Sequence, residues 1–345
     1  MSIHKISIEE FLVLSATLPV FDVRSPGEYH HAHIPNAISL PIFSDEERKI
    51  VGTSYKQKGK QPAIMEGLNF FGPKMTQLVL EVERSCNQQY KKIIVHCWRG
   101  GMRSGAMAWL LDLYGFDVYL LIGGYKSYRG WALSVFEQPH DIKILGGYTG
   151  SAKTEVLQAL KENNEPVIDL EQLASHKGSA FGGINQPKQP TQEMFENLLA
   201  IEIQQQKNGF WLEDESQRIG RLNIPNALWQ NMRKAPIYFI DIPFSERLEH
   251  IVKGYGNLEV DKMIEAVERI QKRFGPLETK TTKEHLQQGN IKDAFSLLLK
   301  YYDKQYAKSL QNRENIKELL HVVELPSTDI NYNAATLLKA IKVNS

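Results

Sequence analysis

Residues 91–104 have the sequence KKIIVHCWRGGMRS, and the fold predicted for the first half of the chain rests on them. The apolar run at 93–95 predicts a short buried strand that ends just before Cys97. Two glycines follow, and residues 106–111 have a helical composition. Backbone N–H groups of a tight loop at a helix N-terminus bind anions and lower the pKa of a thiol. The pattern therefore predicts an α/β unit in which Cys97 is a nucleophile.

The charges of this loop favour the same interpretation. Arg99 and Arg103 add positive charge beside Cys97, and these three are the candidate catalytic residues. The alternative is a free cysteine packed as a small hydrophobic residue, which is the usual state of a lone intracellular cysteine. The glycines and arginines favour the reactive thiol.

Composition limits the class of protein. A chain of 345 residues is long enough for two or three domains. Lys and Arg number 41 against 40 Asp and Glu, so any nucleic-acid partner must be held by local patches of charge. Two cysteines exclude a disulfide framework. The N-terminal residues have no signal-peptide pattern, and no run approaches the ~18 apolar residues of a spanning helix. These features predict a soluble cytoplasmic protein with no membrane partner.

Three segments resemble rhodanese domains. Residues 22–29, DVRSPGEY, followed by HIPNA at 33–37, are similar to their opening signature. The Cys97 loop corresponds to their active-site loop, and LIGGY at 121–125 to their closing strand and turn. The resemblance implies a small parallel α/β sheet domain over residues 1–138, with Cys97 as the carrier of sulfur or selenium.

Local signals predict further elements of this domain. Ser7 and Glu10 have capping-box spacing and predict a short helix. Residues 19–24 and 38–41 have the pattern of strands, and Ser-Pro-Gly at 25–27 that of a turn. Residues 51–60, VGTSYKQKGK, are either a solvated loop or, through Lys56 and its neighbours, a contact for polynucleotide phosphates.

The histidines at 30, 31 and 33 suggest a metal site, but they would not converge on one ion from one face of a helix. No cysteine or carboxylate cluster completes such a site. A hydrogen-bonding role for His33 beside the strand ends is the better interpretation.

The second half opens with a phosphate-binding pattern. The strand DIKIL at 141–145 leads into GGYTGSAKT at 146–154 and then into helical sequence, the context that makes a P-loop credible. Its N–H groups would hold a di- or triphosphate, while Lys153 reaches the terminal phosphate and Thr154 can hold Mg²⁺. Alanine replaces the usual glycine at 152, which is tolerable only where its φ is negative. The candidate diphosphate-binding residues are Gly147, Thr149, Gly150, Ser151, Ala152, Lys153 and Thr154.

Later strands at 166–170, 210–215, 237–242 and 321–325 alternate with helices, as in a P-loop NTPase-like α/β domain with C-terminal helices over residues 139–345. An acidic Glu-Asp-Glu cluster lies at the end of the second of these strands. Asp214 and Glu215 are therefore candidates for binding Mg²⁺ or acting as a base, the alternative being an exposed turn.

Over essentially its full length the chain resembles the bacterial tRNA 2-selenouridine synthases. The matching stretches are VGT with YKQ at 51–57, CWRGGMRS at 97–104, GGYK at 123–126, HKGSAFG at 176–182 and EDESQRIG at 213–220. The resemblance implies a transferase that acts in two steps on the wobble uridine of the tRNA anticodon stem-loop. Geranyl diphosphate first alkylates the sulfur of a 5-substituted 2-thiouridine, and selenium from selenophosphate then replaces the geranylthiol to give 2-selenouridine.

In this scheme the P-loop binds the diphosphate of the geranyl donor, so no ATP hydrolysis is expected, and Cys97 acts in the selenium step. No tightly bound cofactor is expected, Mg²⁺ is allowed, and an enzyme that supplies selenophosphate is a further candidate partner. Each candidate substrate or tRNA contact could instead be an ordinary surface residue. These candidates are Lys56, Lys126, Lys177, Ser179, Phe181, Arg218, Arg221 and Arg273.

One alternative stays open at this stage. His96-Cys97, five residues, then Arg103-Ser104 is also the HC-x5-R-[ST] pattern of cysteine-dependent phosphatases, some of which share the rhodanese fold. The chain could then be such a phosphatase fused to a P-loop kinase or NTPase.

Overall fold

The computed structural model describes residues 3–86, 91–256 and 258–344, which form two compact units. Unit 1 comprises Met1–Val135 together with Glu196–Ile201. Unit 2 comprises Phe136–Phe195 and Glu202–Ser345.

The strands and helices of unit 1 alternate along the chain, with three consecutive helices inserted before the fourth strand. They are β1 (Ile3–Ile6), α1 (Ile8–Leu14), β2 (Val20–Asp22), α2 (Pro26–His31), β3 (Ile38–Ser39), α3 (Asp45–Gln57), α4 (Lys60–Phe71), a 3₁₀ turn (Gly72–Lys74), α5 (Met75–Ser85), β4 (Lys92–His96), α6 (Met102–Tyr114), β5 (Asp117–Leu121) and α7 (Gly124–Glu137).

The sheet of unit 1 is parallel, with strand order β1-β5-β4-β2-β3. Strand β4 is central, and Ile93, Ile94 and Val95 are fully buried. Parallel strands that are covered by helices on both faces have such continuous apolar runs. The buried strand predicted at 93–95 is confirmed. Cys97 follows the carboxyl end of this strand, the edge where open α/β sheets place their ligands.

Two local predictions for unit 1 were wrong. Ser25-Pro26-Gly27 is not a turn but the start of α2: the Glu28 carboxylate accepts a hydrogen bond from the Ser25 N–H at 3.2 Å, and proline is also favoured in the first helical turn. Residues 51–60 are mostly helical rather than a loop. Helix α3 starts from a capping box at Ser44, and the break before α4 is at Gly59, whose φ is 91°.

Unit 2 begins with the strand that precedes the glycine-rich loop. Its elements are β6 (Ile142–Gly147), α8 (Lys153–Glu162), α9 (Leu170–Ala174), α10 (Gln192–Gln205), β7 (Phe210–Glu213), β8 (Arg218–Ile219), β9 (Leu222–Asn223), α11 (Asn226–Lys234), β10 (Ile237–Asp241), α12 (Phe244–Tyr255), α13 (Val260–Phe274), α14 (Pro276–Gln287), α15 (Ile291–Gln311), α16 (Ile316–Leu319), β11 (Leu320–Glu324) and α17 (Ile330–Asn344).

Four of these strands form a parallel sheet with order β11-β10-β6-β7, and β8 and β9 form a small antiparallel pair. The strand predicted at 166–170 is reduced to one bridge between Val167 and Trp211. Asp169 ends it, because its carboxylate accepts a hydrogen bond from Gln172 N–H at 2.7 Å and caps helix α9.

A second apolar cluster of unit 2 lies among the helices rather than against the sheet. It contains Met263, Val267 and Phe274, which recur at helical spacing along α13, and also Phe181. Within the described ranges, no helix combines the length and apolar character needed to cross a bilayer.

Candidate active site

The thiol of Cys97 lies in a closed loop at the N-terminus of helix α6. Its side chain is buried, with 3% exposure, and its sulfur is 3.1 Å from the Ser104 hydroxyl oxygen. Backbone N–H groups of Arg99, Gly101 and Ser104 also hydrogen-bond to the sulfur. The loop is therefore an anion cradle that already surrounds the thiol.

Burial and hydrogen bonding act in opposite directions on this thiol. Burial would raise the pKa of Cys97, but the hydrogen bonds from Ser104 and from the loop N–H groups outweigh it and hold the pKa below its ordinary value. A thiolate is the reactive form of cysteine, so the cradle favours nucleophilic chemistry. The pKa lowering expected from the sequence is confirmed.

The shape of the Cys97 loop depends on two glycines whose backbones are in contact. Gly100 and Gly124 have φ values of 63° and 57°. A Cβ on Gly124 would collide with the Cys97 carbonyl oxygen and lie 2.6 Å from the Gly100 nitrogen. Helix α7 therefore begins in direct backbone contact with the thiol loop, and the Tyr125 N–H donates to the Cys97 carbonyl at 2.8 Å.

The two arginines predicted beside the thiol differ in their surroundings. Arg103 pairs with Glu28 of helix α2, with Nη1 2.6 Å from Oε2. Burial raises the pKa of Glu28, but the Arg103 pair outweighs this and holds it below its usual value. Arg99 is exposed. Of the two, Arg99 is the guanidinium better placed to meet an incoming anion.

Beneath the loop lies a buried charged cluster that sequence reasoning did not identify. Arg24 is 1% exposed, donates to both carboxylate oxygens of Asp22 and packs its guanidinium 3.9 Å from the centre of the Tyr125 ring. His96 is fully buried, and burial lowers its pKa. The Asp-Val-Arg triplet of the rhodanese-like signature was the available signal, and it supplies this support rather than a substrate contact.

Two histidines in and just after helix α2 make local hydrogen bonds. His30 Nδ1 lies 2.7 Å from the Pro26 carbonyl, and His33 Nδ1 lies 2.9 Å from the Tyr29 carbonyl. Among the residues that the structure describes, no group of three His, Cys, Asp or Glu side chains is placed to hold a metal ion.

The glycine-rich loop of unit 2 connects β6 to α8, as a P-loop does. Gly147 and Gly150 have φ values of 155° and 85°. The Lys153 ammonium donates to the Gly147 carbonyl at 2.8 Å, so it lies back across the mouth of the loop. Ala152 has φ 57° and ψ 33°, in the left-handed region. Alanine is tolerable at this position only where φ is negative, and the structure has a positive φ. Alanine therefore occupies a backbone conformation that glycine would adopt at a lower free-energy cost.

Arg247 braces this loop, a role that no sequence motif indicated. It is 3% exposed, donates from Nη1 to the Thr149 carbonyl at 3.0 Å and pairs with Asp303 at 2.8 Å. A Cβ on Gly150 would lie 2.7 Å from the Arg247 carbonyl oxygen. The loop is thus held by helices α12 and α15 as well as by the sheet.

The acidic cluster after β7 divides into two roles. Asp214 is a structural carboxylate: it pairs with the buried Arg313 and accepts a hydrogen bond from the Tyr306 hydroxyl at 2.5 Å. Glu215 is different. Burial, with the nearby Glu171 carboxylate, raises its pKa to about 8, although Lys153 acts in the opposite direction. Glu215 is therefore the candidate for proton transfer, while Asp214 is not available for one.

Glu171 is a further carboxylate at this site, and no sequence motif indicated it. It accepts a hydrogen bond from the Thr154 hydroxyl at 3.1 Å. These two side chains would provide oxygen ligands for Mg²⁺, which commonly takes its others from water and substrate phosphates. The chemistry that Mg²⁺ would supply is neutralisation of charge on a diphosphate.

One cavity of about 1020 Å³ in unit 2 unites these groups. It is lined by the P-loop from Thr149 to Thr154, by Glu171 and Glu215, and by several aromatic side chains. Lys177, Gly178 and Ser179, which belong to a stretch singled out in the sequence, also line it. Gly178 has a φ of 65°, and a Cβ there would lie 2.7 Å from carboxylate oxygens of both Glu171 and Glu215, so a larger residue would displace both carboxylates.

The residues predicted to contact tRNA are mostly at the surface. One is not: Phe181 is 3% exposed and packs against Phe295 and Tyr255 in the apolar cluster, because a phenyl ring gains more from that burial than from solvent. Ser179 is half-buried. The exposed candidates are Lys56, Lys126, Lys177, Arg218, Arg221 and Arg273.

Comparison with known proteins identifies both domains. The rhodanese-like domain model matches residues 7–130, and the model of the tRNA 2-selenouridine synthase AAA domain matches residues 140–320. The N-terminal unit is thus a rhodanese domain, and a P-loop-like AAA domain follows it. A solved structure of the N-terminal domain of a Clostridium difficile 630 protein is 42% identical and covers 37% of this chain and 98% of that one, with a TM-score of 0.35.

Several relatives extend over both domains and are named tRNA 2-selenouridine synthase. The protein of Nitrosomonas eutropha is 36% identical over 78% of this chain and 70% of its own. That of Nitrosomonas europaea is 36% identical over 79% and 72%, and that of Hahella chejuensis is 32% identical over 86% of each chain. Identity of this extent across both domains shows that the chain belongs to the tRNA 2-selenouridine synthase family.

Proposed function

We propose that this chain is a transferase that converts 2-thiouridine at the wobble position of tRNA into 2-selenouridine, in two steps. The names of its relatives support the overall conversion and the tRNA substrate. The site geometry supports the division into steps, because the chain has two anion-binding loops of different chemistry, one carrying a thiol and the other a lysine.

In the first step the thiocarbonyl sulfur attacks C1 of geranyl diphosphate. A sulfur–carbon bond forms, the carbon–oxygen bond to the diphosphate breaks, and the diphosphate leaves with the electron pair. The N3 proton of the base is released to water. Lys153 and the N–H groups of the P-loop stabilise the charge that develops on the leaving group. The raised pKa of Glu215 keeps this carboxyl protonated at neutral pH, which removes a repulsive charge from the diphosphate site.

In the second step the Cys97 thiolate attacks C2 of the alkylated base and geranylthiolate leaves, and selenium from selenophosphate then attacks C2 and displaces the Cys97 thiolate. S-alkylation makes this displacement feasible, because it turns a poor leaving group into a better one. Arg99 and the N–H groups around Cys97 would bind the anionic selenophosphate, and water would take the phosphoryl group as the selenium–phosphorus bond breaks. The observation that carries the proposal is the Cys97 sulfur held by Ser104 and three backbone N–H groups in a chain of this family.

Local charge would hold the tRNA anticodon stem-loop, since the chain has a net charge of only +1. Arg218 and Arg221 flank the acidic cluster and are exposed, as is Lys126 after the thiol loop. We propose these side chains as phosphate contacts, and we propose that the reaction occurs in the cytoplasm with selenophosphate delivered by the enzyme that makes it.

The test is mass analysis of wobble nucleosides after incubation of 2-thiouridine tRNA with geranyl diphosphate and then selenophosphate. The wild-type chain should give S-geranyl-2-thiouridine and then 2-selenouridine. Lys153→Ala should lose the first product, whereas Cys97→Ser should form it and stop there. Robust tRNA-stimulated ATP hydrolysis with no use of geranyl diphosphate would overturn the proposal.

The same variants test the phosphatase alternative. A cysteine-dependent phosphatase would release phosphate from a small aryl phosphate and lose that activity in Cys97→Ser. The ion pair of Arg103 with Glu28 uses two of the five guanidinium N–H donors, so the assay rather than this contact distinguishes the two functions. Phosphate release by the wild-type chain alone, with no nucleoside product, would restore the alternative.

A further inference from the structure

One wall of the unit 2 cavity is apolar and begins directly at the P-loop. Ile251 of helix α12 touches it: a Cβ on Gly150 would lie 2.9 Å from the Ile251 Cδ1 atom. Tyr255 follows one helical turn later, and Tyr302 of helix α15 lines the same cavity. We call Ile251, Tyr255 and Tyr302 the aromatic wall.

The hydroxyl groups of this wall already have partners in the protein. Tyr302 accepts a hydrogen bond from the Ala180 N–H at 3.4 Å, and Tyr255 is hydrogen-bonded to Ser179. Their polar ends are therefore occupied at the 179–180 loop, and their rings remain as lining. A ring whose hydroxyl is already satisfied accepts an apolar neighbour without leaving a buried polar atom unpaired.

The wall is the open edge of a hydrophobic core. Ile251 is 5% exposed and belongs to the helical cluster of unit 2, and both tyrosines pack against that cluster. The Tyr255 ring lies 6.0 Å from Phe295 and 6.3 Å from Phe181, centroid to centroid. Phe181 thus has a role after all, as backing for the wall.

We propose that the aromatic wall binds the hydrocarbon chain of an allylic diphosphate whose diphosphate group lies on the P-loop, and that it makes the site selective for chain length. This inference rests on the proposed function and deepens it. The phosphate cradle and the wall are continuous at Gly150, so one ligand can occupy both. The cavity of about 1020 Å³ is at the upper end of the range for small-molecule sites and accommodates a ten-carbon chain.

Binding measurements on the full chain test this by calorimetry with inorganic diphosphate, dimethylallyl diphosphate and geranyl diphosphate. The diphosphate group is the same in all three ligands, so differences in Kd measure the contribution of the hydrocarbon. Each buried methylene contributes favourable free energy, and we expect geranyl diphosphate to bind at least about tenfold more tightly than dimethylallyl diphosphate.

Variants of Tyr302 localise the effect. Tyr302→Ala removes the ring and should reduce the preference for geranyl over dimethylallyl to less than about threefold, with inorganic diphosphate binding unchanged. Tyr302→Phe keeps the ring and should retain the preference. Tyr332→Ala is the matched control, because Tyr332 is 54% exposed and does not line the cavity.

The outcomes separate this inference from the function on which it rests. Two outcomes would show that the aromatic wall does not bind the hydrocarbon: equal affinity of the wild-type protein for inorganic diphosphate and geranyl diphosphate, or a Tyr302→Ala variant that keeps the full preference for geranyl over dimethylallyl diphosphate. The P-loop assignment would stand in either case. Tighter binding of ATP than of geranyl diphosphate would also overturn it, in favour of a nucleotide. Failure of every diphosphate to bind the wild-type chain would overturn the proposed function as well.

Discussion

The sulfur of Cys97 lies 3.1 Å from the hydroxyl oxygen of Ser104, seven residues later and in the first turn of helix α6. This contact joins the end of the central strand to the start of the helix across the thiol loop. It also links the chemistry of the thiol to the geometry of the fold, because the hydroxyl can donate to a thiolate only while the loop is closed.

Ser104→Ala should raise the pKa of Cys97. A hydrogen bond to a charged group contributes about 1.5 kcal/mol or more, which corresponds to an increase of about one pH unit. The pH dependence of the rate of alkylation by iodoacetamide measures it directly. Ser134→Ala is the control, since its hydroxyl bonds to the Trp131 carbonyl in α7. An unchanged midpoint would show that the backbone N–H groups alone set the pKa.

Gly124→Ala should disrupt the thiol loop. The new methyl group would collide with the Cys97 carbonyl oxygen, at a residue whose φ of 57° already disfavours alanine. We expect a loss of about 2 kcal/mol or more in the free energy of unfolding, together with a slower reaction of Cys97. Gly130→Ala, in the same helix with open space around the new methyl group, should be neutral or slightly stabilising. Equal behaviour of the two variants would contradict the contact.

Ala152→Gly should stabilise the domain despite placing a glycine before a helix. The left-handed conformation costs alanine about 1–2 kcal/mol, whereas the extra freedom of glycine in the unfolded chain costs about 0.4–1 kcal/mol. A net gain of about 0.5–1 kcal/mol should appear in urea unfolding. Ala159→Gly in the interior of helix α8 should instead destabilise. A loss of stability in Ala152→Gly would mean that the methyl group makes compensating contacts.

Asp214→Asn should destabilise the P-loop domain strongly. It leaves Arg313, whose side chain is 3% exposed, without its carboxylate partner, and loss of one member of a buried ion pair costs about 3–5 kcal/mol. Thermal or urea unfolding measures this loss. Glu215→Gln, one residue along the chain, should not produce it at neutral pH, and a similar loss in both variants would argue against the division of roles.

Glu215 should make stability depend on pH. Its pKa in the folded chain is about 8, above the ordinary value for glutamate, so its favourable contribution is complete below that ordinary value and is lost as the pH rises through 8. Glu215→Gln removes the titration. The free energy of unfolding of this variant should therefore rise relative to wild type, by about 1–2 kcal/mol between pH 5 and pH 9, with solvent screening limiting the size.

Much of the fold could be predicted because its signals are local and agree with one another. The run at 93–95, the loop after it and the helix behind it form one continuous unit, and so do the strand, glycine-rich loop and Lys-Thr at 141–154. Parallel sheets need buried apolar strands, and such strands are easy to find in a sequence.

The errors occurred where one signal fits two structures. Ser-Pro before Gly27 is typical of a turn and equally of a helix start, and only the Glu28 hydrogen bond decides between them. Glycines at 52 and 59 suggested a loop, but tertiary packing overrides the weak preference of one glycine.

The site residues that the sequence did not reveal were missed for a different reason. Arg247 and Glu171 belong to no recognisable motif, and the residues that they contact are distant in sequence. The neighbouring sequence therefore does not indicate that they belong to the site. Glu28 is separated by 75 residues from Arg103, and its effect on that arginine depends on the fold. Phe181 lies in a stretch that resembles a functional motif, yet its side chain serves the hydrophobic core.

The backbone contact between Gly124 and the Cys97 loop determines the kinetic character of this site. The start of helix α7 packs against the Cys97 loop, which precedes helix α6. The anion-binding loop is therefore ordered when the domain folds, and substrate binding does not have to supply the entropy cost of ordering it. Substrate association at this loop should therefore be a single fast phase whose rate depends on charge steering rather than on loop closure, with affinity governed by dissociation.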